Sequence, residues 1–426
     1  MANENRPRQS GSAGTLVKIA YRNIWRNKRR TFFCLASVGF AVFFITVYSA
    51  FQDGIVRSVN ELVRTFDTGH VRVVSAEFEA DSEFMPVQFP VAGGEDVVSL
   101  VARVEAVPGV LAALPRIETF ASLHESAVRH AMLWGLNIDD ELALNNFNII
   151  NRDDGIIEGR WPTPGTNEAV IGWRLAQRAG LAVGDYLPLS TVSAHFSDRP
   201  WEPRVVGIFS FDYMRFDDNY IIADFERLQR LLVLDGGTQQ LVVFAESDRL
   251  SSSVAAQVGL LLGEGDVVQN WQDNFWVAAM RSQEIVYTLI YLIVLVVACL
   301  LIINTVVMII HERIKEIGMM GSLGMSRKEI VTVFFFESVL MSAVGALVGV
   351  ALGGIVTGVG QFFPLRLSDM VGNTFAQIPV GEAIFLDFSV LSLVQSWLMG
   401  VVVASIFTLV PSLKSAFVAP VEALRR

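Results

Sequence analysis

Four long apolar runs break up an otherwise mixed chain: residues 31–52, 285–310, 330–358 and 388–411. Each is long enough to cross a hydrocarbon core as a helix, which takes about 20 residues. Between the first and second runs, over residues 53–275, short alternating segments take their place. Val71–Ser75, Met132–Ile138, Val205–Phe209 and Tyr220–Ala223 read as strands, and Glu95–Val107 as a helix closed by Pro108-Gly109. The pattern predicts a membrane protein with four transmembrane α-helices. A large α+β extracytoplasmic domain is inserted between helices 1 and 2.

The first apolar run does not stop at Asp53. Ile55, Val59, Leu62 and Phe66 continue a helical stripe, and a helix from Thr31 to Phe66 would be roughly 54 Å long. Trp271–Thr288 prefixes the second run in the same way. Both read as stalk helices lifting the outer domain off the membrane. Residues 1–30 read as a cytoplasmic tail followed by an interfacial elbow helix, with Val17, Ala20, Tyr21, Ile24 and Trp25 on one stripe against a basic face. The remaining pieces are a cytoplasmic loop at 311–329, a short outer loop at 359–387 and a cytoplasmic tail at 412–426. Gly345, Gly349 and Gly353 recur at four-residue spacing, which suits either a close helix contact or simple tolerance of glycine.

Composition agrees with the pattern and charge orients it. The chain has 426 residues, 52 % of them hydrophobic, with mean hydropathy +0.46 and 18 % charged residues. Residues 53–282 hold 33 acidic residues against 17 arginines, a net of −16, and no lysine. Lys18, Lys28, Lys315, Lys328 and Lys414 all lie in the N-terminal segment, the 311–329 loop or the C-terminal tail. That asymmetry places both termini and this loop in the cytoplasm and the acidic stretch outside. Cys34 and Cys299 both fall in apolar runs, so they give an exported domain no disulfide framework. The first apolar run starts late and lacks a small-residue cleavage site, so no cleavable signal peptide is expected.

Candidate chemistry is sparse. There is no G-x-x-x-x-G-K-[ST] to cradle a nucleotide phosphate and no G-x-S-x-G elbow. His124-Glu125 begins an H-E, but His130 is six residues on where a zincin needs four. Asp139, Asp140 and Glu141, like Asp217 and Asp218, read as solvated faces. The basic N-terminal patch abuts a span and reads as a membrane anchor, with no nucleic acid implied. No enzyme, cofactor or metal is expected in this chain. Two aromatic sets remain. Phe40, Phe44, Tyr48 and Phe51 on the first span, with Tyr287 and Tyr291 on the second, form either helix packing and an interface belt or an acyl-chain cleft open to lipid. In the polar stretch Ser190–Arg204, Phe196 and Trp201 either tuck back onto the domain or anchor a partner, and Pro200 and Pro203 argue against an ordinary strand.

The loop 311–329 has the clearest local grammar. Arg313 and Glu316 are spaced to pair on a helix, Gly318, Gly321 and Gly324 break it, and Ser326 to Glu329 is a capping box flanked by Met325 and Ile330. Its wording, R-x-x-E-I-G, then S-L-G-M-S, then Ile330 and Glu337 in F-F-F-E, resembles the FtsX-type permease domain of ABC transporters. The resemblance implies a coupling helix for a separate ATPase, with Arg313, Glu316, Gly318, Met319, Leu323 and Gly324 at the contact. A-Y-R-N-I-W-R-N-K-R-R-T is similar to that family's elbow, and P-V-E-A-L-R, Pro420–Arg425, to its ending. E-G-R-W, E-A-V-I-G and V-G-D resemble the periplasmic domain of MacB-type and LolC/LolE-type permeases, with about 53–115 and 205–275 as one subdomain and 116–204 inserted into it.

By resemblance, the chain is the permease subunit of a mechanotransmitting transporter in the bacterial inner membrane. ATP and Mg would sit in the partner ATPase, and a second permease would complete a homo- or heterodimer. The cargo would be a lipoprotein or other lipidic molecule taken from the outer leaflet, with a periplasmic carrier outside. The alternatives are a MacB-like efflux permease with an adaptor, or an FtsX-like transducer regulating a cell-wall hydrolase. LolC-type relatives carry a projecting hairpin hook, used to hold the periplasmic carrier, at the place matching Ser190–Arg204; this loop is several residues shorter.

Overall fold

The computed structural model describes residues 28–124, 126–144, 146–147, 154–263, 265–282, 285–297, 299–300, 303, 319, 325–366 and 383–416. It divides into two units, one of residues 1–54, 283–365 and 385–426, the other of 55–282 and 366–384. Helix α1, Lys28–Leu62, is followed by a π turn, Val63–Thr68. In chain order come β1 Val71–Ser75, α2 Ala76–Ala80, α3 Val97–Glu105, β2 Val110–Leu123, β3 His130–Leu136, α4 Ile138–Ala143, β4 Ile156–Gly159, β5 Glu168–Gly172 and α5 Trp173–Ala179. Then follow β6 Leu189–Val192, β7 Asp198–Trp201, β8 Arg204–Phe209, α6 Met214–Asn219, β9 Tyr220–Asp224, α7 Phe225–Leu232, β10 Gln240–Ala245, α8 Ser251–Leu262, β11 Asp266–Asn270 and α9 Phe275–Ser282. The last long helices are α10, Arg327–Gly360, and α11, Val390–Ala416.

The second unit is built on one sheet in the order β11-β1-β10-β2-β3-β9-β5-β8-β4, with the β6–β7 hairpin branching from β2. Strand β2 joins its two halves. Its first part pairs with β10, from Val110↔Ala245 to Arg116↔Gln240, and its second with β3, from Arg116↔Leu136 to Ser122↔His130. Short local signals set the elements on this frame. Asp96 caps α3 by accepting from the Ser99 amide at 3.3 Å, and Asp224 caps α7 by accepting from the Arg227 amide at 3.2 Å. Helix α7 buries Phe225, Leu228 and Leu232, one stripe at helical spacing, against the β3 side of the sheet. Burying such a leucine contributes about 1.5–3 kcal/mol.

Two expectations need correction. Strands β8 and β9 pair with β5 and β3, and their side chains share a core with Leu133, Leu228 and Leu234. The chain therefore returns to the first half only at β10, and the inserted part is not confined to 116–204. The reason is parallel pairing of β9 with β3 and β8 with β5, which no local pattern announces. Ser190–Arg204 is likewise no irregular excursion. Its strands pair from Leu189↔Trp201 to Val192↔Asp198, and Pro200 is accommodated because β7 is an edge strand.

In the first unit, glycines bring α1 and α10 together. A Cβ on Gly345 would stand 3.1 Å from the Leu35 carbonyl oxygen, one on Gly349 would collide with the Gly39 carbonyl, and one on Gly353 would stand 2.9 Å from Thr46 Cβ. The ladder is a helix contact. Val38, Val42, Ala346 and Ala404 form its core, and Trp397 Nε1 on α11 donates to the Ala343 carbonyl at 3.1 Å. Four helices among the described residues are long and apolar enough to cross a membrane: Thr31–Thr68, Phe275–Val297, Lys328–Gly360 and Val390–Phe407.

Candidate functional site

The capping box that starts α10 is complete: Glu329 N donates to Ser326 Oγ at 3.3 Å, and Ser326 N donates to Glu329 Oε2 at 2.8 Å. Ile330 is buried just inside it. The box fixes where the helix begins, at Arg327. Arg313, Glu316, Gly318, Leu323 and Gly324 lie outside the described residues, as do residues 1–27 and 417–426. Met319 is helical and half exposed.

The structure splits the aromatic set of the spans. Tyr48 and Tyr287 meet, the Tyr48 hydroxyl donating to the Tyr287 carbonyl at 3.4 Å. Tyr291 Oη reaches Met399 Sδ on α11 at 2.8 Å. Phe40 and Phe44 face outwards, 59 % and 50 % exposed, with ring centroids 5.1 Å apart. Phe51 is half-buried. So the tyrosines tie helices together within the first unit, while the two phenylalanines offer an apolar face to whatever surrounds the helix.

The hairpin divides its aromatic pair as well. Trp201 is 5 % exposed, its indole N–H donates to Asn167 Oδ1, and the Arg227 guanidinium lies 5.9 Å from its ring. It packs with Leu187, Leu189 and Val205, so it is core and not a docking anchor. Phe196 is 76 % exposed at the turn, with φ +55°, a left-handed conformation uncommon for a bulky residue. The turn holds it there through Ser193 N to the Ser197 carbonyl and Phe196 N to the Ser193 carbonyl, both 3.0 Å.

One cluster was not legible in the sequence. The π turn ends at Gly69, φ +62°, where a Cβ would stand 2.9 Å from the Val243 carbonyl oxygen. Arg116 on β2 donates to the carbonyls of Thr65 at 2.9 Å and Phe66 at 3.2 Å, and through Nε and Nη2 to Glu141 at 2.7 and 3.0 Å. Arg116 and Glu141 are fully buried. Glu141 on α4 is thus no solvated face. The Phe66 ring lies 4.6 to 6.0 Å from Phe216, Phe211, Tyr213 and Trp134. Asp67 reaches Arg215 at 3.4 Å, Arg215 donates to Tyr220 Oη at 3.1 Å, and Tyr220 donates to Glu118 at 2.5 Å. Burial pushes the Tyr220 phenol well up, so it stays the donor. Asp217, also fully buried, accepts from Phe211 N at 2.9 Å and Ser210 Oγ at 3.1 Å. Arg116 and Asp217 hold backbone, and among the described residues no His, Cys, Asp and Glu side chains group in threes to hold a metal ion. The one signal in the sequence was a charged residue inside the apolar strand L-A-A-L-P-R-I.

Comparison with known proteins covers both units. The FtsX-like permease C-terminal family matches residues 288–420, and the MacB-like periplasmic core domain family matches residues 31–260, more than half the chain. The chain is 23 % identical over 334 residues to the lipoprotein-releasing system transmembrane protein LolC of Xylella fastidiosa (strain 9a5c), covering 75 % of this chain and 78 % of that one. It is 22 % identical over 424 residues to the macrolide export ATP-binding/permease protein MacB of Campylobacter jejuni, covering 96 % of this chain and 61 % of that one. The crystal structure of the periplasmic region of MacB from Actinobacillus actinomycetemcomitans aligns with a TM-score of 0.35 at 13 % identity, over 52 % of this chain and 95 % of that one. With the periplasmic-core family over its first part and the permease family over its last, the chain belongs to the FtsX/MacB type of ABC transporter permease.

Proposed function

We propose that this permease draws lipoprotein, or another lipidic cargo, from the outer leaflet of the bacterial inner membrane, driven by a separate ATPase subunit. The observation that carries this reading is the likeness to LolC, which extends over three quarters of both chains. In this reading the termini and residues 311–329 are cytoplasmic, and the unit of residues 55–282 is periplasmic. ATP and Mg are held by the ATPase, and two permease chains, alike or different, pair in the membrane. The elbow carrying Arg313, Glu316, Gly318, Met319, Leu323 and Gly324 seats in the ATPase. Phe40 and Phe44 face acyl chains, and Tyr48, Tyr287, Tyr291 and Phe51 back them. Phe196 meets a periplasmic carrier. Each ATP-driven movement of the elbow then passes along the spans to the outer domain.

A second reading, macrolide-type efflux through an adaptor, has its support in the alignment with MacB over nearly the whole of this chain. A third is a transducer acting on a cell-wall hydrolase. Purification from native membranes separates them, since the retained outer partner is a lipoprotein carrier, an efflux adaptor or a hydrolase. The same preparation tests the elbow. Glu316→Arg abolishes retention of the ATPase while membrane insertion is unchanged; undiminished retention would remove the coupling assignment.

A further inference from the structure

We propose that Arg116, seated on Glu141, is a positioning residue that makes the outer end of α1 move as one body with the sheet. The inference deepens the mechanical reading above and rests on it. A helix end leaves carbonyls without amide partners ahead of them, and a π turn is an uncommon way to finish. Here those of Thr65 and Phe66 are taken by one guanidinium. Its other edge is held by both Glu141 oxygens, and Asn146 Nδ2 holds Glu141 Oε2 in turn at 2.5 Å. The rings of Trp134 and Phe244 lie 5.1 and 5.9 Å from the guanidinium carbon. Arg116 also stands where β2 faces Gln240 of β10 and Leu136 of β3 at once. A displacement of the helix end therefore reaches both halves of the sheet through one side chain. A planar five-donor fork can grip a carboxylate on one edge and two carbonyls on the other, which a lysine ammonium cannot do rigidly.

A bland role for the pair, stability alone, makes a different forecast. Apolar residues of similar volume in place of a buried ion pair are often neutral or stabilising. The doubly substituted R116M/E141L chain should therefore stay folded yet lose the grip on Thr65 and Phe66. The test uses the full chain assembled with its ATPase, with Cys34 and Cys299 replaced by alanine and spin labels at positions 57 and 192. The parent gives one narrow label distance with and without trapped ATP. R116M/E141L broadens it and lowers cargo release by about tenfold while ATP turnover persists, a split that marks lost coupling. Arg116→Lys, which keeps the charge and loses the fork, sides with the double variant. A narrow distance and full release in R116M/E141L, or parent behaviour in Arg116→Lys, overturns the proposal. Should the double variant not fold, hydrogen exchange on the parent decides. The proposal requires amides 63–68 to exchange with those of 112–118, and exchange about tenfold faster at 63–68 refutes it. If the distance broadens as expected but parent release proves independent of ATP, the coupling stands and the transport reading falls.

Discussion

Glu168 shows at residue scale how the second unit depends on pH. Its carboxylate accepts from Arg160 Nη1 at 2.9 Å and Nη2 at 2.6 Å and from the Thr163 amide at 3.0 Å, and the Arg160 bonds above all hold its pKa down at about 2. A folded-state value below the unfolded one gives stability that is complete above the ordinary glutamate range and lost as pH falls towards 2. The stability gap between the parent and Glu168→Gln, followed by tryptophan fluorescence in urea, should be constant above pH 5 and close below it. His70 acts at milder acidity. Burial lowers its pKa against the opposing pull of its hydrogen bond to Asp248, 3.1 Å away, so its contribution is present above the ordinary histidine value and lost as the buried ring is forced to protonate. At the same scale, Arg116→Ala leaves Glu141 buried without its counter-charge, and a loss of about 3–5 kcal/mol is expected in the same unfolding measurement.

At the scale of elements, the contact between α1 and α10 depends on which glycine faces what. Gly349 lies against the Gly39 backbone, which cannot yield, whereas a Cβ on Gly354 meets only Leu393 side-chain atoms, the nearest at 3.4 Å. Gly349→Ala should destabilise the solubilised protein by about 1–3 kcal/mol, the usual range for overpacking, in detergent-driven unfolding. Gly354→Ala should change little, since alanine favours the helix. Equal effects at both positions would mean that the ladder is not a packing contact. Four-residue spacing alone left contact and tolerance open, because the sequence does not say what lies opposite.

At the scale of the whole molecule, the hairpin sets one buried ring, Trp201, and one exposed ring, Phe196, in the same short stretch. Phe196→Ser removes an exposed ring and should leave the thermal midpoint unchanged while, under the proposed function, weakening retention of the proposed periplasmic carrier by about tenfold, as expected for an interface anchor. Trp201→Ser should instead unfold the hairpin and lower the midpoint, because it empties a core site shared with Leu187, Leu189 and Val205. Unchanged retention with Phe196→Ser would leave the tip without a role. The aromatic residues looked equivalent in the sequence, both large and both in a polar stretch. Only pairing β7 to β6 turned one inwards and left the other on the turn.

What the sequence determined by itself was whatever depends on near neighbours or on bulk partition. The strand Val71–Ser75, the α3 segment before Pro108-Gly109 and the capping box at Ser326 are local, written within a few residues. The apolar runs are equally plain, since transfer of a helix into lipid depends on composition over about 20 residues. The family wording of 311–337 was legible for the same reason, as side chains at fixed offsets. Tertiary structure alone decided the rest. Parallel pairing of β9 with β3 drew residues 204–234 into the second half of the sheet, setting Leu133 beside Ile221, 88 positions later in the chain. It also set Arg116 against two carbonyls some fifty positions earlier and a carboxylate 25 positions later. No local pattern encodes such meetings, because each side chain is satisfied by a group whose position is fixed only when the sheet has closed around it.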